Sequence, residues 1–272
     1  MLFDSHAHIN SEGLTAEGRK ELIRRIEDSD LAYVADIGCD MPSSRLAVAD
    51  AHVSEKIFAT VGIHPHEAAT ATDEALRELA TLAEDPRVVA IGEIGLDYFR
   101  DLSPRETQRD AFRRQLRLAM KLAMPITIHD RDSGGDMKEI LMDEGIFSDE
   151  RKGRFAPNPE TGEKDARLLM HCFSGSLEQA LDYIGLGATI SIAGPVTFKN
   201  NKKTVRVAAG IPLGHMLIET DSPYLTPEPF RGTENVPMNV RYVAEKIAEA
   251  RGASYEEVAS ATLENARRFY GI

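Results

Sequence analysis

The chain has 272 residues, of which 42% are hydrophobic and 28% charged, and its formal net charge is −12. This balance is ordinary for a globular protein, and no run approaches the ~18 consecutive apolar residues of a membrane span. The acidic charge weakly opposes nucleic acid as a partner, because proteins that bind it regardless of sequence usually carry a basic field. A nucleic-acid substrate would have to be held by local cations or metal ions.

Cysteine usage and the start of the chain favour a reducing cytoplasmic location. Cys39 and Cys172 lie far apart and form no CxxC pair, which argues against a disulfide scaffold. A secretory signal needs a basic stretch and then an apolar run, whereas Asp4, His6 and His8 come at once. We therefore expect no leader, no membrane association and a cytoplasmic protein.

Short apolar, β-branched runs alternate with longer helix-like segments along the whole chain. The predicted strands are residues 2–6, 32–38, 58–63, 88–93, 126–129, 168–171, 188–192 and 216–219. Eight strand–helix repeats predict an α/β fold, a (β/α)8 TIM barrel in a single domain over residues 1–272. A doubly wound open sheet is the alternative, but it would normally carry a Gly-rich phosphate loop after its first strand.

Three helix starts are recognisable between the strands. Residues 103–106 (Ser-Pro-Arg-Glu) offer an N-cap, a proline at the first helical position and a glutamate that reaches back. Ser176 with Gln179, and Ser254 with Glu257, have the spacing of the capping box. Each pattern predicts a helix that begins directly after its serine.

The carboxyl ends of the predicted strands carry most of the chain's chemistry. These ends hold His6, His8, Asp36 to Asp40, His64, His66, Glu93, His129, His171, Ser191 and Asp221. In a barrel all of them meet around one mouth, where active sites lie. Because six of the eight histidines lie at the carboxyl ends of predicted strands, we predict a shared metal site. His52 and His215 fall elsewhere and are predicted to be surface or packing residues.

The predicted metal ligands form two groups. Residues two apart on a strand share a face, so His6 and His8 can hold one cation together with Asp221 from the eighth strand. His129 and His171, from strands five and six, can hold a second. Imidazole and carboxylate ligands suit Mg²⁺, Mn²⁺ or Zn²⁺, and the ligand types alone do not choose among these metals.

Glu93 lies on the fourth strand, between the two groups, and is placed to bridge both cations. Two cations roughly 3.5–4 Å apart clamp an attacking water and a leaving oxygen, and they lower the pKa of that water. Asp221 is the candidate base that takes the water's proton while also touching a metal. Its alternative role is to cap a helix.

Six motifs, taken together and in order, resemble one known family. They are Asp4–His8, Gly62–His66, Gly92–Tyr98, His129–Asp132, His171–Gly175 and Glu219–Tyr224. The set is similar to the TatD-type metal-dependent deoxyribonucleases of the amidohydrolase superfamily, from residue 2 to about residue 270. HxH alone is a weak signal, whereas the ordered set is specific.

The resemblance implies a function and a ligand set. The implied activity is hydrolysis of DNA phosphodiester bonds, often from the 3′ end, with divalent cations of which Mg²⁺ is the expected one. The implied state is a cytoplasmic monomer that acts on DNA without an obligate protein partner. Glu93 stands where many superfamily members use a modified lysine. The family's ligands are matched by His6, His8, Glu93, His129, His171 and Asp221.

Several further residues are candidates for contact with substrate. His64 and His66 can hydrogen-bond phosphate oxygens or protonate the leaving alkoxide, because histidine titrates near neutral pH; orienting a ligand or a water is the alternative. Arg131, Lys199 and Arg231 can pair with flanking phosphates, or be solvated surface charges.

Tyr98, with Phe99 beside it, is a candidate to stack on a base, and packing on the barrel rim is the alternative. Two stretches depart from the family pattern. Residues 147–165 are charged, Pro/Gly-rich and longer than the family usually has; they connect a helix to strand six, so we expect a surface insertion away from the mouth. Residues 231–234 place Thr and Glu where the family more often has a basic residue, which weakens the expectation of a phosphate contact there.

Two other functions stay open at this point. The same metals could hydrolyse another ester or amide, such as the ester of a mischarged aminoacyl-tRNA in a D-aminoacyl-tRNA deacylase, because fold does not fix substrate. A metal-binding scaffold without turnover is the third, and it is disfavoured because such a scaffold has no need for all six ligands.

Overall fold

The computed structural model describes residues 1–11, 13–159 and 161–272, and over these ranges eight strands form one sheet. Neighbouring strands pair in parallel, in the order of the chain. The strands are β1 (Leu2–Ala7), β2 (Leu31–Ile37), β3 (Ile57–Val61), β4 (Val88–Asp97), β5 (Ile126–Arg131), β6 (Leu168–Met170), β7 (Thr189–Ile192) and β8 (Met216–Ile218).

Helices follow the strands around the outside. They are α1 (Ala16–Glu27), α2 (Met41–Val53), α3 (Asp73–Leu82), α4 (Arg105–Leu122), α5 (Asp136–Asp143), α6 (Asp149–Lys152), α7 (Leu177–Leu186), α8 (Lys202–Gly210), α9 (Val240–Arg251) and α10 (Tyr255–Tyr270). Within the described ranges, the helices are too short or too polar to cross a bilayer.

Contacts between β1 and the residues around β8 close the sheet. The Ser5 hydroxyl donates to the Ile218 carbonyl at 3.0 Å, and the Asp221 amide donates to the His6 carbonyl at 2.9 Å. At the other end of the chain the Tyr270 hydroxyl donates to the Ser5 carbonyl at 2.8 Å. The predicted (β/α)8 barrel is confirmed, and the strand that carries His6 is held from both sides.

The predicted strand bounds differ most at β4, which continues to Asp97 rather than stopping at Glu93. The extension pairs with β5 as far as Asp97 opposite Arg131. Gly95 makes this close pairing possible: its φ is +149°, and a Cβ there would lie 1.9 Å from the His129 carbonyl oxygen. A residue with a side chain would push the two strands apart at the point where Glu93 and His129 face each other.

The helix starts were predicted with mixed success. Ser176 and Gln179 form the full capping box, and the Ser254 side chain accepts from the Glu257 amide. The prediction at Ser103 was wrong, because Pro104 is the N-cap and α4 begins at Arg105 without a side-chain cap. The Ser103 hydroxyl instead donates to the His66 carbonyl at 2.7 Å, a partner that only the folded chain supplies.

The described part of segment 147–165 contacts the amino-terminal ends of β5 and β6 through Arg151. It is more than a surface excursion, however, because Arg151 within it is fully buried. Its guanidinium donates at 2.9 Å to the Ala166 carbonyl and at 2.9 Å to the Met124 carbonyl. Met124 and Ala166 precede β5 and β6, so the arginine ties the segment to the base of the barrel. Glu160 lies outside the described residues.

Candidate metal centre

Glu93 occupies the middle of the mouth and faces both predicted ligand groups. One carboxylate oxygen, Oε1, lies 2.7 Å from His129 Nδ1 and 2.7 Å from His171 Nε2. The other, Oε2, lies 3.4 Å from His6 Nε2 and 3.9 Å from His8 Nε2. Burial opposes ionisation of Glu93, but the facing imidazoles of His171 and His64 outweigh it and hold its pKa well below the ordinary value.

Asp221 completes the first group. Its Oδ1 lies 3.4 Å from His8 Nε2 and 3.7 Å from His6 Nε2. The residue has a left-handed φ of 56°, and its amide is fixed by the bond to the His6 carbonyl. The side chain therefore points into the mouth, away from the capping role that was its alternative. Three sets of donors lie close enough to share a cation: His6, His8 and Glu93; His6, His171 and Asp221; and His64, Glu93 and His129.

His6 gives the clearest sign that a ligand belongs here. Its ring is fully buried, yet among the described residues neither ring nitrogen has a hydrogen-bond partner. Burial and the neighbouring His171 lower the pKa of His6, which favours the neutral imidazole that binds metals. Buried polar atoms are normally satisfied, so coordination of a divalent cation by Nε2, the ring nitrogen that faces Glu93 and Asp221, fits these residues.

Three other histidines share one arrangement, in which one ring nitrogen faces the centre and the second meets an acceptor. His171 Nδ1 lies 3.3 Å from Glu219 Oε1, His129 Nε2 lies 3.3 Å from Asp97 Oδ2, and His8 Nδ1 lies 3.1 Å from the Ile37 carbonyl. Acceptors of this kind fix the ring orientation and tautomer of metal-binding histidines.

Sequence reasoning assigned no role to Glu219 or Asp97. Glu219 is fully buried and accepts from the Cys172 amide at 2.6 Å and from the Ser191 hydroxyl. Asp97 accepts from the Phe99 and Arg100 amides at 3.0 and 2.7 Å. Both residues lie inside motifs that the sequence presents, at or just beyond predicted strand ends. A charged residue there was the signal that could have identified them.

His64 and His66 lie on the same side of the mouth but in different settings. His64 Nε2 is 3.7 Å from Glu93 Oε1, which brings His64 into the donor cluster although it was expected to contact substrate. Burial and the nearby His129 hold its pKa well below the ordinary value. His66 Nε2 lies 2.8 Å from Asp97 Oδ2, so its ring is held at the edge of the centre.

Each of the two candidate phosphate-binding arginines lies over an aromatic ring. The Arg131 guanidinium lies 4.1 Å from the centroid of Phe99, and that of Arg231 lies 4.1 Å from the centroid of Phe198. Both arginines and Lys199 are exposed. These positions leave the three charges exposed to solvent.

Tyr98 is less open than its predicted stacking role requires. Its hydroxyl lies 2.6 Å from Asp136 Oδ2, and the Arg105 guanidinium covers its ring at 4.3 Å. Phe99 and Tyr224, each 58% exposed, offer freer faces. Tyr224 lies edge-on to His8, with 6.1 Å between ring centroids.

The two remaining histidines lie apart from the centre, as the sequence predicted. His52 Nε2 lies 2.7 Å from Asp85 Oδ2, and its side chain is 54% exposed. His215 Nε2 lies 3.3 Å from Oε2 of Glu163. Glu163 belongs to segment 147–165, at the opposite end of the barrel from the metal centre.

A parallel barrel whose strand ends bring imidazoles and carboxylates together fits the class of metal-dependent hydrolases, which is also the class that the relatives' names give. Within that class the chain belongs to the TatD family, because the family model described as "TatD related DNase" matches residues 3–271.

Relatives and solved structures agree with this assignment over the full length. A metal-dependent hydrolase of Bacillus subtilis, YabD, named as uncharacterized, is 41% identical over 272 residues, 100% of each chain. A protein of Cronobacter sakazakii named "3'-5' ssDNA/RNA exonuclease TatD" is 30% identical over 99% of this chain and 97% of its own. The crystal structure of YJJV, a TatD homolog from Escherichia coli K12, superposes with a TM-score of 0.86 at 26% identity, covering 100% of this chain and 98% of that one.

Proposed function

We propose that the protein is a divalent-metal-dependent deoxyribonuclease that removes nucleotides from the 3′ end of a single strand. The position of Glu93 carries the proposal, because each of its oxygens faces one of the two ligand groups. The family description and the name of the Cronobacter sakazakii relative support the choice of substrate. We expect a cytoplasmic monomer that needs no protein partner for this reaction.

The ligands of the two cations are proposed to be His6, His8, Glu93, His129, His171 and Asp221. When bound, such cations lower the pKa of an attacking water and neutralise the charge that develops on the phosphate. Mg²⁺ is the expected metal, with Mn²⁺ and Zn²⁺ as the alternatives. The unpartnered Nε2 of buried His6 supports cation binding at the first group.

The chain's own groups are assigned the remaining steps. Asp221, beside His6 and His8, takes a proton from the attacking water. His66, whose ring meets Asp97, is assigned to hydrogen-bond a phosphate oxygen or to protonate the leaving alkoxide. His64 contacts the same phosphate or steadies Glu93 at 3.7 Å.

The flanking strand is assigned to the rim of the mouth. Arg131, Lys199 and Arg231 pair with its phosphates, because cations that contact backbone phosphates position a strand without reading its sequence. Tyr98 remains the residue proposed to stack on a base at the rim. Phe99 beside it has the more exposed ring.

The test is cleavage of a 5′-labelled single-stranded DNA by protein supplied in turn with Mg²⁺, Mn²⁺ or Zn²⁺. Stepwise shortening from the 3′ end, abolished by chelator and by Glu93→Ala, is the expected result. Failure to cleave with every metal would reject the nuclease. Hydrolysis of a D-aminoacyl-tRNA or a small ester by the same preparation would then identify the alternative reaction.

A further inference from the structure

A cavity of about 430 Å³ opens beside the metal centre, between the loops that follow β5 and β6. His171, one of the proposed ligands, lines this cavity as well as the centre. The volume lies within the range of about 300–1,000 Å³ that is usual for small-molecule sites. A phosphate at the metal centre would therefore have room for one attached group in the cavity.

Two aromatic side chains contribute to the inner wall of the cavity. Phe173 is 9% and Tyr183 8% exposed, and both line the cavity. The Phe173 ring lies against the backbone of Gly175, where a Cβ would come within 2.4 Å of it. Such a wall suits the flat, weakly polar face of a nucleobase, since stacking on aromatic rings binds bases of any identity.

The outer wall carries more negative than positive charge. Asp130 lies near the end of β5 and Asp132 on the loop that follows, and Lys203 at the start of α8 is the one lysine or arginine among the lining residues that the structure describes. Ionised carboxylates accept hydrogen bonds and donate none. They therefore favour a sugar hydroxyl, which can donate, and repel a second phosphate group.

We propose that this cavity receives the terminal nucleoside of the strand, with its free 3′-hydroxyl facing Asp130 and Asp132. The proposal rests on the nuclease function above and adds a specificity to it. The enzyme acts on ends that carry a 3′-hydroxyl and discriminates against ends that carry a 3′-phosphate.

The first test compares two 5′-labelled strands that differ only at the 3′ end, hydroxyl or phosphate, under the same metal. We expect cleavage of the hydroxyl end to be at least tenfold faster in kcat/KM. Asp132→Asn should reduce the ratio to about threefold or less, mainly by lowering KM for the phosphate end. The matched control is Asp182→Asn, because Asp182 is an exposed residue of α7 whose side chain pairs with Lys138.

A second test measures binding without turnover. Deoxyadenosine 5′-monophosphate and deoxyadenosine 3′,5′-bisphosphate both offer a 5′-phosphate to the metal-loaded centre and differ only in the 3′ group. Calorimetry should show at least tenfold tighter binding of the monophosphate, and Asp132→Asn should reduce this difference.

The outcomes separate the two proposals. If the strand with a 3′-phosphate is cleaved as fast as the strand with a 3′-hydroxyl, or faster, the proposed role of the cavity is overturned and the nuclease function stands. If neither strand is cut, the nuclease fails and the binding comparison decides: a tenfold preference for the monophosphate supports the cavity as a nucleoside site, and equal affinity overturns it.

Discussion

The mouth and the base of the barrel each bury strongly polar side chains, but they satisfy them differently. At the mouth, His6 is fully buried and, among the described residues, neither of its ring nitrogens has a hydrogen-bond partner. At the base, Arg151 is just as deeply buried, and its guanidinium meets two backbone carbonyls and the Met120 sulfur.

This difference distinguishes the mouth, as the functional end of the barrel, from the base, where buried polar groups contribute to stability. Burial lowers the pKa of Arg151 to about 10, so the group stays charged at neutral pH and the carbonyls compensate for its lost hydration. The mouth gathers imidazoles and carboxylates that the protein alone leaves incompletely paired. The unpartnered ring of His6 faces other potential metal ligands, whereas the satisfied guanidinium of Arg151 holds the base of the fold together.

Replacing Glu93 should produce the largest effect. Because this carboxylate faces both ligand groups, Glu93→Ala should lose at least one metal equivalent and lower kcat by on the order of 10³-fold or more. Metal content by mass spectrometry and turnover on DNA measure both losses. Full turnover with two metals bound would contradict the bridging role. Glu178→Gln, on the exposed face of α7, is the control that should change neither.

Replacing Arg151 should instead reduce stability. Arg151→Met leaves the Met124 and Ala166 carbonyls without their buried donor, which should lower the free energy of unfolding by about 2–4 kcal/mol. Urea unfolding measures the loss, and turnover per folded molecule should stay unchanged. Arg154→Met, at an exposed position of the same segment, should cost about 1 kcal/mol or less. A fall in kcat of folded Arg151→Met would contradict the separation of the two ends.

Glu219 tests whether the residues behind the ligands matter. Its carboxylate meets His171 Nδ1 at 3.3 Å, so Glu219→Gln should weaken metal binding about 10- to 100-fold by loosening the orientation of that ring. Titrating activity against metal concentration measures the shift, and excess metal should restore most of kcat. A variant that titrates like the parent protein would show that the ring is held by its other contacts.

An effect on the pH dependence of stability is expected at a buried pair of carboxyl groups, Asp36 and Asp50, beneath the mouth. Burial and the charge of Asp50 raise the pKa of Asp36 to about 8. An unfolded aspartate titrates near about 3.9, so between about pH 4 and 8 the native state binds more protons than the unfolded state. Stability should therefore fall as pH rises through this window, by up to about 1.4 kcal/mol per pH unit.

Asp50→Asn removes the neighbouring charge and leaves Asp36 with amide donors from Ile9 and Asn10 at 2.9 and 3.3 Å, which favour its ionised form. The slope of stability against pH should then flatten. Urea unfolding in chelator from pH 5 to 8 measures it, with exposed Asp28→Asn as the control. An unchanged slope in Asp50→Asn would show that the charge of Asp50 does not contribute to the raised pKa of Asp36.

Much of the molecule follows from local patterns in the sequence. Alternation of short β-branched runs with capped helices predicts the barrel, because each parallel strand needs a crossover helix before the next. The histidines at strand ends predict a common centre, because the topology of a barrel brings those ends to one mouth. Both inferences depend on order along the chain, which the sequence displays directly.

Only the tertiary structure decided which partners the polar groups at the mouth and at the base of the barrel receive. Ser103 donates to the His66 carbonyl instead of capping its own helix. Glu219 and Asp97 contact the rings of His171 and His129. Arg151, in a segment predicted to lie on the surface, is buried at the base of the barrel. The contacts of Ser103, Glu219 and Asp97 join residues at least 32 positions apart, and Arg151 reaches Met124 and Ala166 across 27 and 15 positions. Local patterns determined which elements form, whereas long-range hydrogen bonding of buried polar groups determined what each side chain does.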